Sequence, residues 1–222
     1  MQNIQAIFFD LDGTLADTAP DLAQALNATL QAHGKPPLPF EKIRPVVSHG
    51  GIAMIKLGFE LGPEHEQYNA IREYFLQHYL QNIATHTRLF DGMAELLQQI
   101  EQRNIKWGVV TNKPGWLTLP LMRALNLSER AACIVSGDTV SKAKPHPEPM
   151  LYACQQAGVE PGATVYIGDA ERDIQAGRAA GMKTIAALFG YLLEDDIPEN
   201  WQADAMIQSP ADTWSAIAQW TT

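Results

Sequence analysis

Asp10 and Asp12 stand one residue apart, straight after the apolar run Ile4–Phe9 and straight before Gly13 and Thr14. Two carboxylates this close repel each other unless a cation or a reaction uses them. A calcium loop is excluded, because such a loop needs glycine at its sixth position and Leu15 occupies it. Other polar groups with chemical potential lie far along the chain: Thr111 and Asn112 in VVTNK, Lys144 in SKAKPHPEP, and Asp169 and Asp173 in GDAERD. Three or four carboxylates around one point call for a hard cation, and Mg²⁺ takes carboxylate, carbonyl and phosphate oxygens. One lysine and one hydroxyl suit a dianionic phosphate. One carboxylate can attack phosphorus covalently, and a second, two residues on, can protonate the leaving oxygen and then activate water. Each piece alone has a plainer explanation: a turn for the paired aspartates and for Thr111-Asn112, a surface charge for Lys144, a helix N-terminal acid for Asp173. Their value depends on whether the chain brings them together.

The elements around them say that it can. IQAIFF (Ile4–Phe9), IKWGVV (Ile105–Val110), ACIVS (Ala132–Ser136), ATVYIG (Ala163–Gly168), KTIAAL (Lys183–Leu188) and DAMIQ (Asp204–Gln208) read as short strands. Continuous apolar runs rich in Val and Ile suit parallel strands covered on both faces. Helical patterns fall between them at Gly92–Asn104, Pro147–Gly158 and Asp173–Gly181, the last two closed by glycine. This alternation predicts a doubly wound, Rossmann-like α/β sheet. In such sheets ligands bind at the carboxyl ends of the strands, where all the polar groups above fall.

One region breaks the rhythm. Ala16–His86 shows helical periodicity and no clear strand, with long helices expected over Ala19–Gly34 and Pro63–Gln81 and a Pro-rich turn, HGKPPLPF, between them. The expected organisation is an α/β core over residues 1–15 and 87–222, with a small all-helical cap, residues 16–86, inserted after the first strand.

Composition narrows the partners. The 222 residues are 46% hydrophobic and 18% charged, with a formal net charge of −9. That argues against nucleic acid and anionic lipid, which need clustered Lys and Arg. No apolar stretch approaches ~18 residues, so no membrane span is expected. Cys133 and Cys154 lie in apolar settings without metal-ligand spacing and read as reduced, buried thiols. The N-terminus lacks the basic region of a signal peptide. A monomeric, cytoplasmic protein is expected.

DLDGT, VVTNK, KPHPEP and GDAERD, in this order, resemble the four motifs of the haloacid-dehalogenase-like hydrolase superfamily, and the resemblance spans essentially the whole chain. In finer detail LFDGMAELLQQIEQRNIKWGVVTNKP and KPHPEPMLYAC resemble the phosphoglycolate phosphatase branch, nearest to bacterial members described as N-acetylmuramic acid 6-phosphate phosphatases, which serve peptidoglycan recycling. The resemblance implies Asp10 as nucleophile and Asp12 as general acid/base. It implies Thr111 and Asn112 on phosphate oxygens, and Lys144 neutralising Asp10 and the phosphoryl group. Mg²⁺ would be held by Asp10, the Asp12 carbonyl and Asp169, with Asp173 in support. Asp12 favours a phosphatase over a true dehalogenase, which lacks that acid. The expected substrate is a small-molecule phosphate ester. Two rivals are a phosphomutase of the same fold and a non-catalytic binding protein on this scaffold.

Within the cap, RPVVSHGG (Arg44–Gly51) falls where the family carries a specificity loop. Arg44 is a candidate reader of a substrate anion, His49 a candidate substrate contact, and Gly50 and Gly51 would let the loop approach a ligand. Trp107, Tyr166 and Phe189 read as core, His146 as structural, and Trp201, Trp214 and Trp220 as packing for the C-terminal elements.

Overall fold

Apolar strands that face both ways need cover on both sides, and the chain supplies it. In the computed structural model, which describes residues 4–220, the elements are β1 (Ala6–Phe9), β2 (Ala16–Asp17), α1 (Ala19–Ala32), α2 (Phe40–Ile43), a 3-10 turn (Arg44–His49), α3 (Gly50–Phe59), α4 (Tyr68–Gln81), β3 (Arg88–Leu89), α5 (Met93–Gln102), β4 (Lys106–Val110), α6 (Gly115–Ala124), β5 (Cys133–Val135), α7 (Glu148–Ala157), β6 (Thr164–Gly168), α8 (Glu171–Ala179), β7 (Lys183–Ala187), β8 (Ala205–Ile207) and α9 (Thr213–Ala218). Six strands form one parallel sheet in the order β5-β4-β1-β6-β7-β8. Side chains alternate by face along β1. Ile7 and Phe9 join Trp107, Val165 and Ile167 against α5 and α9, whereas Ala6, Phe8 and Tyr166 meet Met150 and Ala153 of α7. Ile7, Phe8 and Phe9 are fully buried, each worth about 1.5–3 kcal/mol by transfer from water. β1 lies next to the point where the connections diverge, towards β4 and β5 on one side and β6 to β8 on the other.

The helices α1, α3 and α4 share a separate apolar cluster built on Leu26, Leu30, Met54, Ile55, Phe75 and Tyr79. The expected strand-free insertion needs one amendment: Ala16–Asp17 is a strand, paired antiparallel with Arg88–Leu89. Two residues per strand are too few for any apolar period to show. Asp21 of α1, fully buried, fastens the returning chain, accepting from His86 N–H (3.0 Å), Thr87 N–H (2.8 Å) and Thr87 Oγ1 (2.7 Å).

Three other expectations shift. The helix expected from Pro63 starts at Tyr68, because His65 N–H donates to Gly62 O and Tyr68 N–H to His65 O in successive turns. α6 was not expected at all; Pro120 sits inside it and hides it from a sequence reading. RPVVSHGG is not a loop but a 3-10 turn running into α3. Cys133 and Cys154 are buried and unpaired, and burial pushes the Cys133 thiol up to about 12. Among the described residues no helix is long and apolar enough to cross a membrane.

Candidate active site

Asp10 directly follows β1, and its N–H donates to Ile167 O of β6, fixing it at the sheet's carboxyl edge. Its Oδ1 accepts from Leu11 N–H (2.8 Å) and pairs with Lys144 Nζ (3.0 Å). Lys144 is almost fully buried; its ammonium also meets Asp173 Oδ1 (2.7 Å) and donates to Tyr166 OH (2.9 Å), which in turn donates to Val110 O. Tyr166, read as core from the sequence, is therefore also a polar support, and burial followed by Asp173 holds its hydroxyl well above its ordinary pKa.

Asp169 completes the group: carboxylate oxygens of Asp10, Asp169 and Asp173 lie within 4.8 Å of one another. Asp169 accepts from Ser48 Oγ (2.7 Å), Tyr191 N–H (2.9 Å) and Thr14 Oγ1 (3.2 Å), and no cationic side chain pairs with it among the described residues. Burial, and then Asp10 and Asp173, push its carboxyl up to about 7. Gly13 has φ of +85°, and a Cβ there would fall on Asp169 Oδ2, so backbone and carboxylate can share this space only with glycine. The donor set is all oxygen, buried and short of positive charge, which fits a hard divalent cation.

Asp12 is turned to different partners. Its Oδ1 accepts from Thr18 Oγ1 (2.6 Å) and pairs with Lys113 Nζ (2.9 Å). Lys113, which the sequence reading passed over, is buried and lies 4.5 Å from the centre of the Tyr79 ring of α4. Burial works against its charge, and Asp12, followed by Tyr79, outweighs that cost and keeps the ammonium charged. The only signal for Lys113 was its place beside Thr111 and Asn112 at the end of β4.

Thr111 stands at that same strand end, its N–H donating to Val135 O and its Oγ1 accepting from Lys113 N–H. The Asn112 side chain is committed to the backbone of Lys144, accepting from its N–H and donating to its carbonyl, both at 3.0 Å. It fixes the backbone of the lysine.

A cavity of about 410 Å³ opens over these groups. Its floor carries Asp10, Asp12, Thr111 and Lys113; its cap wall carries Val47, Ser48, His49, Gly50, Met54, Arg72 and Phe75. His49 is exposed on this wall, and partial desolvation and then Arg172 push its imidazole down towards the neutral form. Gly50 has φ of +76°, a turn that favours glycine, and no protein atom lies within 4 Å of the place a Cβ would take. Arg44 lies elsewhere. It lines a second cavity, its guanidinium 4.9 Å from the centre of the Tyr191 ring and donating to Gly190 O. Arg172, also absent from the sequence reading, donates to Ser48 O and so ties cap to core.

Comparison with known proteins gives this arrangement a family. The family model for haloacid dehalogenase-like hydrolases matches residues 7–187. The chain belongs to the haloacid dehalogenase-like hydrolase family. Among curated members, it is 43% identical over 214 residues to the N-acetylmuramic acid 6-phosphate phosphatase of Pseudomonas putida, covering 96% of each chain. It is also 43% identical over 214 residues to a phosphoglycolate phosphatase of Xanthomonas campestris, again covering 96% of each. Among solved haloacid dehalogenase-like folds, a predicted phosphoglycolate phosphatase from Haemophilus somnus superimposes with a TM-score of 0.85 at 25% identity, covering 97% of this chain and 98% of that one.

Proposed function

We propose that the protein is a Mg²⁺-dependent phosphomonoesterase working through an aspartyl-phosphate. The observation that carries this reading is the state of Asp10. Both of its close partners, Leu11 N–H and Lys144, hold Oδ1, while Oδ2 takes none among the described residues and Asp10 stands on the cavity wall. That is a carboxylate fixed by one oxygen and presented by the other. Its Oδ2 attacks phosphorus as the ester oxygen–phosphorus bond breaks, and Asp12 gives its proton to the departing oxygen. Water then attacks the same phosphorus, Asp12 takes the water's proton, and the bond to Asp10 breaks to release phosphate. Thr111 Oγ1 and the Asn112 N–H hold phosphoryl oxygens, and Lys144 balances the charge at Asp10. Asp10, the Asp12 carbonyl and Asp169 would hold the cation, with Asp173 behind them. Bound there, it neutralises and orients the phosphoryl oxygens. The helical segment 16–86 acts as a cap over a core of 1–15 and 87–222, and Ser48, reaching Asp169, is its latch.

The substrate class is a small phosphorylated acid of the phosphoglycolate type. A second reading, N-acetylmuramic acid 6-phosphate, is supported by the size of the cavity, about 410 Å³, and by apolar walls that phosphoglycolate leaves unused. Phosphate release from a chromogenic ester and a panel of phosphorylated metabolites tests the reaction. Asp10→Asn is expected to lower turnover at least ~1000-fold with folding intact. Excess chelator should abolish activity and added Mg²⁺ restore it. Near-normal turnover in the variant would end the covalent mechanism.

A further inference from the structure

Three cationic side chains line the cavity: Arg72, Lys113 and Arg172. Two are already engaged, Lys113 by Asp12 and Arg172 by the carbonyl of Ser48. Arg72 is exposed and makes no hydrogen bond or ion pair with the described residues. It belongs to α4, which also sends Phe75, Leu76 and Tyr79 to the cavity wall. The spacings of three, four and seven residues put these side chains in one stripe along the helix. One end of the stripe is Tyr79, whose ring receives Lys113, the partner of Asp12. The other end is Arg72, about 10 Å further along the axis by the ~1.5 Å rise per residue. Phe75 and Leu76 lie between.

We infer that Arg72 is a specificity-determining residue that pairs with a carboxylate on an elongated substrate, whose apolar middle rests on Phe75 and Leu76 and whose phosphate lies at Asp10. This deepens the phosphatase reading and rests on it. The phosphate is met by Lys144, Thr111 and the cation site, so an unengaged guanidinium on the cap wall answers a second negative group. Its planar fork matches a carboxylate in a bidentate pair. The span favours a long acid. In phosphoglycolate the carboxyl carbon is three bonds from phosphorus, about 4 Å, whereas a sugar 6-phosphate bearing an acid on O3 separates the two by eight bonds.

Matched pairs of substrates test this with the full-length protein, Mg²⁺, and 4-nitrophenyl phosphate as the reaction control. N-acetylmuramic acid 6-phosphate and N-acetylglucosamine 6-phosphate differ only in the lactyl acid. The wild type is expected to prefer the acid, and R72A to lower that kcat/KM ratio roughly ten- to hundredfold. R72K, with the charge but not the fork, should recover part of it. Melting temperatures close to wild type confirm that both variants fold. Phosphoglycolate against ethyl phosphate reads the span, and its ratio should not move in R72A. A wild type that hydrolyses the aryl ester but does not prefer the acid overturns the carboxylate assignment, as does a sugar bisphosphate preferred through Arg72. Equal losses on both members of the first pair, or none, overturn Arg72 as the reader. If the phosphoglycolate ratio collapses as well, the elongated class is wrong. Failure to hydrolyse even the aryl ester overturns the phosphatase reading itself.

Discussion

Asp10 and Asp12 are chemically identical, and the structure separates them by their partners. Asp10 lies in a buried group with Asp169, Asp173 and Lys144. Asp12 is turned to Thr18 and Lys113. In the proposed reaction Asp12 gives and takes a proton, which needs a fixed orientation more than it needs a metal, and Lys113 supplies that orientation. Lys113→Met keeps the aliphatic stem against Tyr79 and removes the charge. We expect kcat/KM for alkyl phosphates, which reports the step that forms the aspartyl-phosphate, to fall about 100-fold, the range of a lost general acid. The loss for 4-nitrophenyl phosphate should be much smaller, because nitrophenolate departs without a proton. Equal losses on both esters would show that Lys113 serves the phosphate and not Asp12. Steady-state rates on the two esters at one pH decide it.

At the level of elements, the chain crosses between the helical segment and the sheet at a two-residue ribbon, and one buried carboxylate fastens that crossing. Asp21 accepts two backbone N–H groups and the Thr87 hydroxyl. Asp21→Ala strands these donors in the interior, which should cost about 3 kcal/mol, read as a lowered urea midpoint. A change within experimental error would mean that water replaces the carboxylate. Elements of this size are where sequence reading ran out. The sheet was legible because each strand is a continuous apolar run, and Asp10, Thr111, Lys144, Asp169 and Asp173 were legible because strand ends are where such sheets present polar groups. β2 and β3 each span a single two-residue period, so no alternation can show. α6 carries Pro120, and the start of α3 carries two glycines. Lys113 and Arg72 carry no pattern of their own in the sequence. The Lys113 side chain is covered by Tyr79, thirty-four positions away, and Arg72 stands on a cavity wall because α4 packs against α1 and α3. Arg44 opens the segment that carries His49 but turns to the Tyr191 ring, since a cation over an aromatic face and two carbonyls satisfy a guanidinium without any ligand.

Over the whole molecule, charge and cavity converge from segments as distant as Asp10 and Asp173, and the sheet order makes that possible by putting β1 in the middle. The same order has a consequence for how the chain comes into being. β1 is made first, yet its neighbours are β4 at residues 106–110 and β6 at residues 164–168. At ~5–20 residues per second a ribosome needs on the order of ten seconds or more to deliver β6 after β1. The helices α1, α3 and α4 pack on one another over shorter separations in sequence than those between β1 and β4 or β6, and nearer contacts form first. Pulsed hydrogen exchange during refolding should therefore protect their amides before those of β1 and β6; protection of β1 in the earliest phase would refute this order. Throughout that wait AIFF is an exposed apolar tetrapeptide of the kind that pairs with copies of itself. What ends the run is Asp10, with Asp12 just behind. Charges at the edge of such a segment oppose self-association, so the two aspartates serve the nascent chain as gatekeepers before there is any site for them to serve.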